Sequence, residues 1–92
     1  MSALVEDMTR CYVCGRTPAQ AHHVIYGTSN RKISDRYSYL VPLCIDHHTG
    51  QNGVHHGNKK LNLHLKQMAQ KHFEDHYGSR EDFIKIFGKS YL

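Results

Sequence analysis

The sequence predicts a small α+β domain, two short strands followed by helices, held together by bound metal. Three observations carry this. The chain has 92 residues, only 39% of them hydrophobic and none of them Trp, so packing alone stabilises it only marginally. It holds three cysteines, an odd number that a disulfide framework cannot use up, and nine histidines, far above ordinary usage. Short runs rich in branched and aromatic residues come first, and apolar residues at helical spacing follow.

Taken in order, residues 1–10 are mixed in character and predict a frayed arm or a single helical turn. Residues 19–26 and 37–43 are the two strand candidates. Pro42 weakens the second toward an edge or a strand end, because it has no N–H to donate. Between them residues 27–36 carry Gly, Ser, Asn and Asp, which is loop chemistry. A short helix or knuckle after Cys44 is interrupted by Gly50, Gly53 and Gly57. From 61 to 77, Leu61, Leu65, Met68, Ala69, His72, Phe73 and Tyr77 recur at helical spacing, and Gly78 stands where that helix would stop. Ser79 with Asp82 three residues on reads as a capping box for a last helix through Phe83, Ile84 and Phe87 to Gly88. Without repeats or a linker, residues 1–92 read as one domain, with a metal-bearing part over 11–56 and a helical extension over 61–92.

The net charge is +4 and the pI about 9.1, a basic bias that favours a polyanionic partner. Mean hydropathy is −0.62, and no apolar run approaches the ~18 residues of a membrane span. The N-terminus has no signal-peptide apolar region. An intracellular, cytoplasmic protein that does not span a membrane is the expectation.

Cys11 and Cys14 form a C-x2-C knuckle, with Gly15 relaxing the turn so that both sulfurs face one ion. Cys44 has His47 three residues on, which closes the set as C-x2-C and C-x2-H. Three thiolates and one imidazole make a common tetrahedral zinc environment; the alternative fourth ligand is His48. Such an ion has no open position, so this centre is structural. In zinc-finger peptides a site of this kind contributes on the order of 10 kcal/mol of folding free energy.

Of the remaining histidines, His64, His72 and His76 fall in the helical segment and read as helix residues. His72 and His76 are four apart, without an obvious third ligand. The pairs around the knuckle differ. Along a strand, His22 and His23 point to opposite faces, so one can hold a metal while the other approaches the reacting atom. His48 follows the knuckle, and His55 lies seven residues further, delivered either by two helical turns or by a loop. Three neutral imidazoles with open coordination positions make a catalytic metal site.

CYVCG, then HHVIYG, YLVPLCIDHH and GVHH, with the tail from Leu61 to Leu92, resemble the HNH (ββα-metal) endonucleases, in particular small zinc-knuckle members from bacterial viruses and prophages. The resemblance covers nearly the whole chain. It implies a ββα-metal core in which a β-hairpin and a helix grip one divalent ion (Mg2+, Mn2+, Ni2+ or Zn2+) beside a structural zinc. It matches His22, His48 and His55 to the metal ligands, with His56 the neighbouring alternative, and His23 to the general base. The family's middle Asn falls on Tyr39. The partner that orients His23 is then the Tyr39 hydroxyl, a backbone carbonyl, or a loop residue such as Asn30 or Asp35; the backbone carbonyl is the expectation, because a phenol reaches past the distance an Asn amide spans.

What the resemblance implies is hydrolysis of DNA phosphodiester bonds by a phage-encoded enzyme in the bacterial host, working in DNA processing or recombination beside other phage proteins. His23 takes a proton from the attacking water, and the ion polarises a phosphoryl oxygen. Arg31, Lys32, Arg36, Lys59 and Lys60 are candidates for phosphate contacts. The rival reading is a catalytically weak or inactive zinc-stabilised module that binds DNA or a phage protein.

Overall fold

A computed structural model describes residues 2–26 and 30–92. Along the chain run β1 (Gln20–His23), α1 (Asn30–Arg36), β2 (Leu40–Leu43), α2 (Ile45–His48), α3 (Lys59–His76) and α4 (Arg80–Phe87). The result is a small mixed α/β fold: one two-stranded antiparallel sheet with helices packed around it, as the α+β expectation has it. The strands pair with His23 opposite Leu40, His22 opposite Val41 and Gln20 opposite Leu43.

Both strands are shorter than the apolar runs that predict them, and α1 is the reason. The loop expected over 27–36 is a helix from Asn30 onward; residues 27–29 lie outside the described residues. Ile33 and Tyr37, four apart, pack against the core, while Arg31, Lys32, Asp35 and Arg36 face outward. That is an amphipathic turn hidden among loop-type residues. Ser34 is fully buried, and its hydroxyl donates to the Ile25 carbonyl and accepts from the Ile25 N–H at 3.2 Å. Ile25 thus satisfies its backbone on a side chain rather than in the ladder, and β1 ends early. At the other end, Ser38 takes a left-handed φ of 58° and the Tyr39 N–H donates to the Ser34 carbonyl at 2.8 Å. Residues 37–39 are therefore the exit from α1, and β2 starts at Leu40.

The N-terminal arm is neither frayed nor helical. The Ala3 N–H donates to the Ser38 carbonyl at 2.9 Å, the Ser2 hydroxyl donates to the Leu40 carbonyl, and Ala3 and Leu4 pack against the core. Pro42 sits where its missing N–H costs nothing. Among the described residues the sheet has two strands, and the Pro42 carbonyl accepts from the Tyr12 N–H at 2.7 Å on the free edge. That bond docks the cysteine knuckle beside β2.

The core gathers Val24, Ile25, Tyr39, Val41, Leu43, Leu65, Ala69, Phe73, Phe83 and Phe87, all buried. Leu65, Ala69 and Phe73 form the inward stripe of α3, with the i, i+4, i+8 spacing of one helix face. This helix starts two residues before Leu61, where the Asn58 side chain accepts from the Leu61 N–H at 3.2 Å. The capping box at Ser79 and Asp82 is present, and Gly88 closes α4 with φ 99°, a backbone angle that favours glycine. Gln70, fully buried, accepts the Tyr91 N–H at 2.7 Å and ties the C-terminal residues onto α3. No helix among the described residues is long and apolar enough to cross a membrane.

Candidate metal centres

Two groups of ligating side chains come together, and α2 contributes to both. The first is Cys11, Cys14, Cys44 and His47. The knuckle turns because the Gly15 N–H donates to the Cys11 carbonyl at 2.9 Å while Gly15 takes φ 75°. Cys44 is the N-cap of α2, so His47 lies one turn beyond it. Cys14 Sγ lies 3.7 Å from Cys44 Sγ, and His47 Nδ1 lies 3.7 Å from Cys11 Sγ and 3.3 Å from Cys44 Sγ. A tetrahedral zinc with ordinary bond lengths has S–S edges of about 3.8 Å and S–N edges of about 3.6 Å. These four groups are thus positioned to bind a metal ion, compatible with structural zinc.

Burial would raise the Cys11 thiol, but hydrogen bonds from the backbone of Cys44, Cys14 and Val13 outweigh it and bring Cys11 down to about 6. A thiol so favoured as thiolate suits ligation. At Cys14 a backbone bond from Arg16 pulls down, yet desolvation, then the neighbouring Cys44 and Cys11, together outweigh it and push the thiol up. Negative charge in the cluster is therefore shared rather than independent. His47 supplies the fourth donor, and His48, the alternative, belongs to the second group.

That second group is His22, His48 and His55, one each from β1, α2 and the turn after α2, with donor atoms within 4.8 Å of one another. The three ring centroids form a nearly even triangle, with sides of 5.1, 5.1 and 4.9 Å. His55 is delivered by a turn rather than a continued helix. After His48 the chain doubles back, the Val54 N–H donating to the His47 carbonyl at 3.0 Å and the His55 N–H to the His48 carbonyl at 3.1 Å. Gly53 permits this return: a Cβ there would lie 2.5 Å from the His48 carbonyl oxygen. His56, exposed as His55 is, does not belong to the group.

His22 is 2% exposed and its Nε2 has no hydrogen-bond partner. Burial, then the neighbouring imidazoles His48, His55 and His23 and the Lys66 ammonium, hold His22 down at about 3, so it is neutral at ordinary pH. A buried, neutral imidazole with an orphaned nitrogen carries an unmet polar requirement of about 1–3 kcal/mol; ligation to an ion would meet it. His48 is also lowered, by burial and then by His55. Its Nδ1–H donates to Gln20 Oε1 at 3.0 Å, which fixes the ring and leaves Nε2 as its free donor.

His23 lies outside both groups but lines the same cleft, about 230 Å³ bounded by Ala21, His22, His23, Tyr26, Arg31, His48 and His55. Its Nε2 is 3.7 Å from Asp35 Oδ1 on α1. Tyr39 does not reach it. Leu40 pairs with His23, and Tyr39, one residue earlier, projects to the opposite face, where its hydroxyl meets His72 Nδ1 at 3.2 Å. Neither Asn30 nor a backbone carbonyl hydrogen-bonds His23 among the described residues; the Asn30 amide donates to the Phe87 carbonyl at 3.1 Å.

Of the five cationic residues expected to meet phosphate, Arg31 lines the cleft. Lys32 and Arg36 are exposed on α1, and Lys59 and Lys60 are exposed in the first turn of α3. His72 and His76 lie with ring centroids 4.3 Å apart, tilted by 33°, and no third ligating group joins them among the described residues. Sequence reasoning missed Gln20 and Tyr26. Gln20 was findable: two residues before His22 on a strand, it shares that histidine's face. For Tyr26, seen beside His22 and His55 at 5.7 and 4.9 Å, no sequence signal exists. No family model, curated protein or solved structure matches the chain.

Proposed function

We propose that the chain is a metal-dependent endonuclease of the HNH, ββα-metal, type, hydrolysing DNA phosphodiester bonds. The observation that carries this reading is the cleft itself. Three imidazoles converge there with an orphaned buried nitrogen among them, and a fourth, His23, lines the same wall without belonging to the triad. One cleft thus offers a ligand set and a separate proton acceptor.

A divalent ion held by His22, His48 and His55 would supply Lewis-acid polarisation of a phosphoryl oxygen and neutralise charge on the leaving oxygen. The donor set fits such an ion: all three are imidazoles, which suit Ni2+ or Zn2+ better than the oxygen-seeking Mg2+ and Mn2+. His48 and His55 are less buried than His22, so the centre has an open side for substrate. His23, 22% exposed at its side chain, accepts a proton at one ring nitrogen from water attacking phosphorus. Asp35 stabilises the imidazolium that forms, and Arg31 holds a non-bridging phosphate oxygen. The Cys11, Cys14, Cys44 and His47 centre keeps α2, and with it His48, in place.

The test is nicking of supercoiled plasmid with Mn2+, Ni2+, Zn2+ or Mg2+, comparing wild type with His23→Ala. Nicking by the wild type and none by His23→Ala at equal metal content supports the reading. The rival, a zinc-stabilised DNA-binding module without chemistry, is favoured by the 3.7 Å gap between His23 and Asp35. It predicts DNA binding by both proteins and cleavage by neither.

A further inference from the structure

We infer that Tyr26 is the positioning residue of the histidine triad, and that α3 acts on the site through it; this rests on the reading of His22, His48 and His55 as ligands of one ion. Ligating histidines ordinarily have the ring nitrogen away from the metal held by a hydrogen bond, which fixes ring plane and tautomer. His48 has this support from Gln20. Among the described residues, neither His22 nor His55 makes a side-chain hydrogen bond. What holds their rings is packing, and the shared neighbour outside the triad is Tyr26. Its centroid lies 4.9 Å from His55 at 57° and 5.7 Å from His22 at 63°.

Tyr26 is itself pinned at two points by one face of α3. Asn62 Nδ2 donates to the Tyr26 hydroxyl at 3.1 Å, and Lys66 Nζ lies 4.7 Å above the centre of its ring. Asn62 and Lys66 are four residues apart, so one helical face presents both. A ring held at its tip and over its face is restrained, and the two imidazoles packed against it share that restraint. Lys66 is held in turn by Tyr91, 5.1 Å from its ammonium to the ring centre. The C-terminal helical part is therefore coupled to the site although it contributes no ligand.

The experiment is titration of zinc-loaded protein with Co2+, read by its visible absorption, on wild type, Tyr26→Phe and Tyr26→Leu. Zinc content and circular dichroism are measured on each. Wild type should bind one Co2+ beyond the zinc. Tyr26→Leu should bind it about 10–100-fold more weakly, the range for loss of a group that orients a ligand. Tyr26→Phe, which keeps the ring and loses only the Asn62 bond, should fall between, with zinc content and fold unchanged in both. Wild-type affinity and an unaltered spectrum in either folded variant would overturn the inference. No additional Co2+ on the wild type itself would overturn the ligand reading beneath it.

Discussion

Tyr39 separates packing from chemistry. It is fully buried, its ring 5.6 Å from Tyr37 and 6.3 Å from Phe87, with its hydroxyl 3.2 Å from His72 Nδ1. Burial, then the neighbouring Tyr77 and Tyr37, push its phenol well above the ordinary value, while burial lowers His72. The pair is therefore a protonated phenol and a neutral imidazole joined by one hydrogen bond. Tyr39→Phe removes one hydrogen bond, about 1 kcal/mol, which lowers Tm by about 4–8 °C in a domain of this size. Tyr39→Ala empties a fully packed aromatic site at about 3–5 kcal/mol, a large part of the about 5–15 kcal/mol that holds a typical domain together. Urea denaturation of the zinc-loaded proteins measures both differences, and plasmid nicking per folded molecule measures the chemistry. Tyr39→Phe should keep wild-type nicking because its hydroxyl faces α3 and not His23. A Tyr39→Phe protein that folds, keeps its zinc and is as inactive as His23→Ala would refute this reasoning.

Cys14→Ser should release zinc and leave a chain that is unfolded or aggregated, seen by metal analysis and circular dichroism; a folded wild-type protein without zinc would contradict the staple. His22 gives a pH dependence of known sign. Its pKa is 6.5 ordinarily and about 3 when folded, so the native state favours the neutral ring, and its stabilising effect is complete above pH 6.5. That effect is lost as pH falls from 6.5 toward 3. Between about pH 7.5 and pH 5 the loss is about 2 kcal/mol. With one zinc per chain, urea unfolding across that range should show this slope in wild type and a flatter one in His22→Gln. Equal slopes would mean that His22 is solvated rather than buried.

The Cys11, Cys14, Cys44 and His47 cluster was almost fully legible because its signal is local: two pairs of ligating residues, each with the i, i+3 offset that a knuckle or one helical turn brings together. The capping box at Ser79 and the glycine stop at Gly88 were legible for the same reason. What escaped depends on contacts distant in sequence. The helix Asn30–Arg36 is held by Ser34 on Ile25 and by Ile33 and Tyr37 against the core, which no local propensity announces. The triad was legible as residue types but not as a path, since two helical turns and a loop deliver His55 equally well until the return of Val54 and His55 onto α2 is seen. Tyr39 shows the limit of matching a pattern position by position. In a strand a shift of one residue changes face, and the register puts Leu40, not Tyr39, opposite His23.

The central claim is that two adjacent histidines on one strand do different work, His22 holding the ion and His23 taking the proton. The most direct measurement is second-ion stoichiometry on His22→Ala and His23→Ala, each also assayed for plasmid nicking. The account predicts that His23→Ala keeps the second ion and does not nick, whereas His22→Ala loses the ion. A His23→Ala protein that loses the ion, beside a His22→Ala protein that keeps it, would show the two assignments to be reversed.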